Sequence, residues 1–269
     1  SKYWAPLDGK YKKVEGPVDA KYKSSGKMVF PRMWMSSPDG RYEEFYRAYT
    51  GGKGKKIAGS KDRKPTMGSN LYYFFDYQMG WMYWRYFMWN FAGRQNDIHS
   101  PTPGNIFHGN WESGVKFIDD IRLGDQSNAP AVLAGNKGKN HYFFLPLLLG
   151  LLGLFFQFDR DKRGCWLTFL MFFMTGIAIV LYLNQPPYQV RERDYAYAGS
   201  FYFFSVWIGM AVAALYSWID GALKSRGGAP LAAGLSAVCL LVPTLMAAPN
   251  WDDHDRSRRA TAVEMAKNY

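Results

Sequence analysis

Four long runs without a single charged residue constrain this chain more than any other feature: 142–158, 165–183, 195–219 and 227–251. A helix needs roughly 20 apolar residues to cross the hydrocarbon core of a bilayer. The first run, mostly Leu and Phe, sits at the low end of that range, and the last is richer in Ala. Pro146 and Pro243 fall inside the runs, where neighbouring helices can satisfy the carbonyls a proline frees. So many uncharged apolar runs in one half of a chain exceed what the core of a soluble domain requires. The pattern predicts a mainly α, polytopic membrane protein with four transmembrane helices over residues 141–250.

The short loops set an orientation. The loop Asp159–Gly164 carries Arg160, Lys162 and Arg163, and the loop 220–228 carries Lys224 and Arg226. Between them, 184–194 has only Arg191 and Arg193. Positive charge marks cytoplasmic loops, so the first two are expected inside. Both termini and the large N-terminal region are then extracytoplasmic, which the family resemblance given below makes the periplasmic side of a bacterial inner membrane. Arg256, Arg258 and Arg259 of the tail run against this bias.

The whole-chain balance hides the division. Lys and Arg number 33 against 22 Asp and Glu, for a net charge of +11, and the mean hydropathy is −0.27. Most of the charge lies before residue 140. The 48% apolar and 18% aromatic content excludes a disordered chain and a disulfide scaffold. Cys165 and Cys239 lie within apolar runs and read as small buried hydrophobes. The sequence starts without Met or a secretory leader and stops within a helical pattern at Asn268–Tyr269, so an internal piece of a longer protein is expected.

Residues 1–140 read as an extracytoplasmic insertion. Its first part, to Pro65, is rich in Lys, Tyr, Gly and Pro, with Met28–Met35 as one strand-like stretch. The basic loop at Lys53–Lys56 has no phosphate-loop pattern and reads as solvated, or as a contact for anionic head groups. No nucleic-acid partner is implied. Leu71–Ala92, LYYFFDYQMGWMYWRYFMWNFA, predicts a helix. At about 100° per residue its aromatic side chains cover every azimuth, with Asp76, Asn90 and Arg94 near one line and Gln78 and Arg85 opposite. Trp and Tyr favour the water–lipid boundary, so the helix is expected along the membrane surface, with Trp81, Trp84 and Trp89 at head-group depth. Gly93 is a candidate left-handed helix cap. Arg94, Asn96 and Asp97 follow; Arg94 and Asp97 either pair to hold a turn or face a polar substrate. Residues 104–140 read as a Gly- and Asn-rich loop with an amphipathic stretch near Trp111–Leu123.

Two segments could carry chemistry. In 186–197, Arg191 and Arg193 alternate with Glu192 and Asp194, ahead of Tyr195. These charges either pair to anchor helix ends or present guanidinium forks to a lipid-linked phosphate. Asp252, Asp253, His254 and Asp255 open a C-terminal extracytoplasmic helical region, 251–269, where acidic residues serve as helix caps. A divalent metal is the weaker reading, and His99, His108 and His141 lie too far apart in sequence for a zinc spacing. No cofactor is implied, and no nucleophile motif is present.

The segments FPRMW (30–34), GWMYWRYFMWNFAGRQND (80–97), GNW (109–111), NKG (136–138), RERDYAYAGSFY (191–202) and NWDDHDRS (250–257) together resemble the transmembrane protein 260-like protein O-mannosyltransferases and their bacterial relatives. The resemblance runs over most of the chain beyond Met28. It implies a polytopic glycosyltransferase of the C superfamily, which moves a sugar from a polyprenyl-phosphate donor to a protein hydroxyl outside the cytoplasm. It also implies donor-phosphate binding at Arg191 and Arg193, with Arg94, Asn96, Asp97, Asp194 and Tyr195 as substrate-pocket candidates. The catalytic acidic residue of that superfamily lies in a first outer loop with no counterpart here, so no catalytic residue is assigned. Expected partners are membrane lipids, the donor and a protein acceptor. The rival expectation is a non-catalytic structural subunit docked in a larger membrane assembly through its aromatic surface.

Overall fold

The computed structural model describes residues 2–15, 27–59, 61–222, 228–254 and 260–268. It is mainly helical and divides into two compact units, 1–71 and 72–269. Residues 72–140 therefore belong with the apolar helices rather than with the N-terminal residues.

The first unit opens with an antiparallel hairpin, β1 (Lys2–Leu7) and β2 (Lys10–Glu15), closed by Asp8 and Gly9 at φ 53° and 71°. Two positive φ values suit the tight turn that matches strand twist, and Asp-Gly is its preferred sequence. Helix α1 (Arg41–Thr50) ends at Gly51 in the left-handed conformation. The strand expected at Met28–Met35 does not form. Instead, the Arg32 and Met33 amides donate to Asn70 Oδ1, at 2.8 and 3.4 Å. One buried amide side chain thus replaces a ladder partner for this stretch.

The second unit is organised around the aromatic segment, which is helical throughout: α2 (Met67–Tyr73), a π-helical stretch (Phe74–Trp84) and α3 (Arg85–Phe91). Its buried residues include Tyr73, Tyr77, Gln78, Tyr83, Tyr86, Phe87 and Phe91, so from Tyr72 onward this helix forms the core of its unit. The π stretch, with the Arg85 amide bonded to Gly80 O, changes the angular step along the helix. Trp89 is buried by protein, whereas Trp84 is exposed. Gly93, at φ 139°, is not a left-handed cap: it belongs to β3 (Gly93–Arg94), paired with β4 (Asn140–His141). A Cβ on Gly93 would overlap Glu112 O and crowd Asn140 O.

Between those strands lie α4 (Lys116–Leu123) and the short α5 (Ala131–Ala134). The apolar helices then follow: α6 (Leu145–Arg160), α7 (Lys162–Thr175), α8 (Ile177–Leu183), a 3-10 turn (Asp194–Tyr197) running into α9 (Ala198–Ala222), α10 (Gly228–Cys239), α11 (Leu241–His254) and α12 (Thr261–Lys267). Among the described residues, three helical stretches are long and apolar enough to cross a membrane: 162–183, 194–222 and 230–251. The fourth expected span is not among them. Helix α6 has 16 residues, about 24 Å at 1.5 Å per residue, against a hydrocarbon thickness of about 30 Å.

Helix α6 lies close against α9 because its facing residues are glycines. A Cβ at Gly150 would overlap the Phe204 ring, and one at Gly153 would overlap Trp207 O. Trp207 Nε1 donates to Gln157 Oε1 at 2.8 Å, pairing two buried polar groups. Small residues at helix crossings and polar side chains bonded across them are the usual means of association where lipid removes the hydrophobic drive. The break between α7 and α8 falls at Gly176. There the Tyr83 and Ser200 hydroxyls share a hydrogen bond of 2.6 Å, and both would crowd a Cβ on that glycine.

Candidate functional site

The loop expected to present two arginines is organised instead by its carboxylate. Glu192 turns inward onto Arg85 of α3, which is 3% exposed. Arg85 Nη2 lies 2.7 Å from Glu192 Oε2 and Nη1 lies 3.4 Å from Oε1. Tyr86 Oη donates to Oε2, the Ser100 amide donates to Oε1 at 2.9 Å, and His99 Nδ1 is 3.3 Å from Oε1. The Arg85 guanidinium also donates to Gly109 O and Trp81 O, and lies 4.2 Å from the Trp81 ring centre and 4.9 Å from that of Trp89. Burial pushes the Glu192 carboxyl up, but the hydrogen bond and charge of Arg85 outweigh it and hold the group below its ordinary value. A buried cation with this many partners fixes the geometry of everything attached to it.

The clamp on Glu192 sets the residues on either side. Arg191 is exposed and stacks over Tyr195, with Nη2 3.4 Å from its hydroxyl. The Arg193 amide donates to Tyr86 Oη at 3.3 Å, and its half-buried side chain holds an Nε without a hydrogen-bond partner among the described residues. Asp194 starts the 3-10 turn and lines a cavity of about 1120 Å³.

That cavity is lined by both polar and apolar groups. Asn90, Arg94, Asn140, Tyr142, Asp194 and Asn250 supply polar groups, while Ile208, Val242, Pro243 and Met246 of α9 and α11 supply apolar ones. Arg94 is held within it: Nε donates to Gly138 O at 2.8 Å, its amide donates to Asn140 Oδ1 at 2.9 Å, and its guanidinium lies 5.6 Å from the Trp89 ring centre. Trp89 also lines the cavity, is 6% exposed, and has an indole Nε1 without a hydrogen-bond partner among the described residues. Asn250 Nδ2 donates to Tyr142 Oη at 2.7 Å, tying α11 to a residue ahead of α6 that also lines the cavity.

The structure thus brings Arg94 and Asp194 together on one cavity, and leaves Arg191, Arg193 and Tyr195 off its lining. Asn96 serves its loop: it is buried, donates to Phe107 O at 2.7 Å and accepts from the Gly109 and Ile98 amides. Exposed Asp97 accepts from Asn136 Nδ2 at 2.9 Å. Sequence reasoning missed Asn140, Tyr142 and Asn250 as lining groups, and missed the pairing of Glu192 with Arg85. A lone arginine inside an aromatic helix was the available signal, since a buried cation requires a partner. His99, read as isolated, lies beside Glu192. The side chains of Asp252, Asp253 and His254, residues 255–259, and Lys224 and Arg226 lie outside the described residues. Among the described residues, no group of three or more His, Cys, Asp or Glu could hold a metal ion.

A family model described as a family of unknown function (DUF8416) matches residues 1–75, close to the extent of the first compact unit. No curated protein and no solved structure matches the chain.

Proposed function

We propose that this chain is part of a membrane glycosyltransferase that moves a sugar from a polyprenyl-phosphate donor to a protein hydroxyl outside the cytoplasm. The observation that carries this reading is the cavity of about 1120 Å³ lined both by polar groups, Arg94 and Asp194 among them, and by apolar groups of α9 and α11. An amphipathic ligand with an anionic head and a hydrocarbon tail fits that mixed lining, because each part meets groups of its own kind. Arg94 offers a guanidinium fork to a phosphate. On this reading the helices sit in a bacterial inner membrane with α6 as a fourth, short span. The large N-terminal region then lies on the periplasmic side, with residues 71–92 near the membrane surface. The sequence resemblance described above supplies the reaction class.

The test is binding and transfer with a polyprenyl-phosphate sugar and the full-length protein. Losing a charge-assisted contact costs about 1.5–3 kcal/mol, so Arg94→Ala weakens donor binding by about ten- to a hundredfold. Arg94→Lys recovers only part of it, since an ammonium has no planar fork. Unchanged donor affinity in a folded Arg94→Ala protein removes the donor site from this cavity. A second reading, a non-catalytic subunit of a larger assembly, rests on α4, where Phe117 and Ile121, one turn apart, are 76% and 71% exposed. Co-purification of a partner chain that protects α4 from labelling, with no transfer activity, favours that reading.

A further inference from the structure

Between the end of α6 and the start of α7 lies a slot of about 310 Å³, lined by Leu154, Phe155, Phe158, Cys165, Trp166 and Phe169. Its lining is wholly apolar, and Phe155 and Trp166 stay 68% and 66% exposed. The turn that joins the two helices carries three cations. Lys162 Nζ lies 5.8 Å from the Phe158 ring centre, which places a charge over a lining residue, and Arg160 lies over Phe156 at 5.7 Å. Arg163 is exposed beside them. The two acidic residues of the turn, set against three cations, leave a net charge of +1 over 159–163. Asp161 is engaged as the cap of α7, accepting from the Gly164 amide at 3.0 Å, and Asp159 is 3.9 Å from Arg160, beyond hydrogen-bond reach.

We propose that this slot holds one acyl chain of an anionic phospholipid, whose phosphate meets Arg160, Lys162 and Arg163. Charge complementarity selects the occupant. An apolar slot alone would accept the tail of any lipid, but the Lys162 ammonium over Phe158 of its lining, with Arg160 and Arg163 close to it in sequence, discriminates by head group. The site is separate from the Arg94 cavity and stands whether or not the chain is a transferase.

The test uses the full-length protein in nanodiscs of phosphatidylcholine with a minor fraction of phosphatidylglycerol, with bound lipid counted by native mass spectrometry. The expected result is retention of phosphatidylglycerol with at least a tenfold preference, since each basic residue near an anionic head group contributes roughly fivefold. The preference falls as salt is raised, because exposed charges are screened. Arg160→Gln/Lys162→Gln/Arg163→Gln erases it, and Leu154→Trp, which fills the slot, reduces retention with the cations intact. Equal retention of the two lipids by the unaltered protein overturns the proposal. So does a preference indifferent to salt, a reading that needs no variant to fold, and so does a preference that survives the triple substitution.

Discussion

At the scale of single residues, the pair Arg85–Glu192 shows how a charge inside an aromatic helix is tolerated. Its position was legible: Arg85 is the one basic residue between Leu71 and Ala92. Its partner was not, because the two stand 107 positions apart and the alternating signs of Arg191–Asp194 suggested pairing within the loop. In an irregular loop with bends at Val190 and Arg191, the local order of signs does not fix which side chain turns inward: Glu192 meets Arg85 while Arg191 is exposed. Glu192→Gln leaves a buried guanidinium without its counter-charge, and breaking such a pair costs about 3–5 kcal/mol. Thermal unfolding in detergent should show a large drop in Tm, whereas Arg191→Ala at the exposed neighbour should leave Tm nearly unchanged. Comparable drops in both would contradict the assignment. The pH dependence follows from the depressed carboxyl of Glu192. Its contribution is complete above the unfolded value of about 4.3 and is lost as pH falls through the lower folded value. Acidification should therefore destabilise the unaltered protein over that window more than it destabilises Glu192→Gln.

At the scale of elements, the sequence pattern located the helices well and misjudged what several of them touch. Residues 71–92 were readable as a helix from length and the lack of proline. The π stretch at Phe74–Trp84 was not, because aromatic residues on every azimuth leave no polar stripe from which to measure a period. The hairpin at the start was legible in Asp8-Gly9 and was passed over among the surrounding lysines. Met28–Met35 has a strand's composition, but composition cannot show that Asn70 supplies its hydrogen bonds. The contact of α6 with α9 rests on Gly150 and Gly153, whose value appears only once Phe204 and Trp207 are placed opposite. Gly153→Leu must push the helices apart, at a cost of about 1–3 kcal/mol or more for overpacking. The expected readout is a lower Tm together with faster exchange of the Trp207 indole proton, whose bond to Gln157 depends on the same close approach. A Gly209→Leu control, with nothing within 4 Å of its Cβ position, should change neither. Equal effects at both glycines would mean that close approach is not what holds α6.

At the scale of the whole molecule, membrane association was legible from the uncharged runs alone, because length and hydropathy are local properties that survive into three helices of spanning length among the described residues. The cavity around Arg94 was legible only in fragments. Arg94 and Asp194 were picked out, yet the surface they share with Asn140, Tyr142 and Asn250 is made by tertiary packing and has no local signature. Orientation is the property that joins these scales, since a donor site for transfer outside the cytoplasm must lie on the outer side of the helices. The cations of the α6–α7 turn favour the cytoplasm by the positive-inside rule, and the stretch 162–183 then carries the chain to the side that holds the Arg191–Asp194 loop. Two exposed positions bracket that stretch: Asp159, with an 83% exposed side chain, and Val190, 88% exposed. In a Cys165→Ser/Cys239→Ser background, each is replaced by cysteine and treated in intact spheroplasts with a membrane-impermeant maleimide. Val190→Cys should label without permeabilisation, and Asp159→Cys only after it. Labelling of both without permeabilisation means that 162–183 does not cross. Labelling of Asp159→Cys alone inverts the orientation, which would put the Arg191–Asp194 loop on the cytoplasmic side and remove the basis for transfer to an acceptor outside.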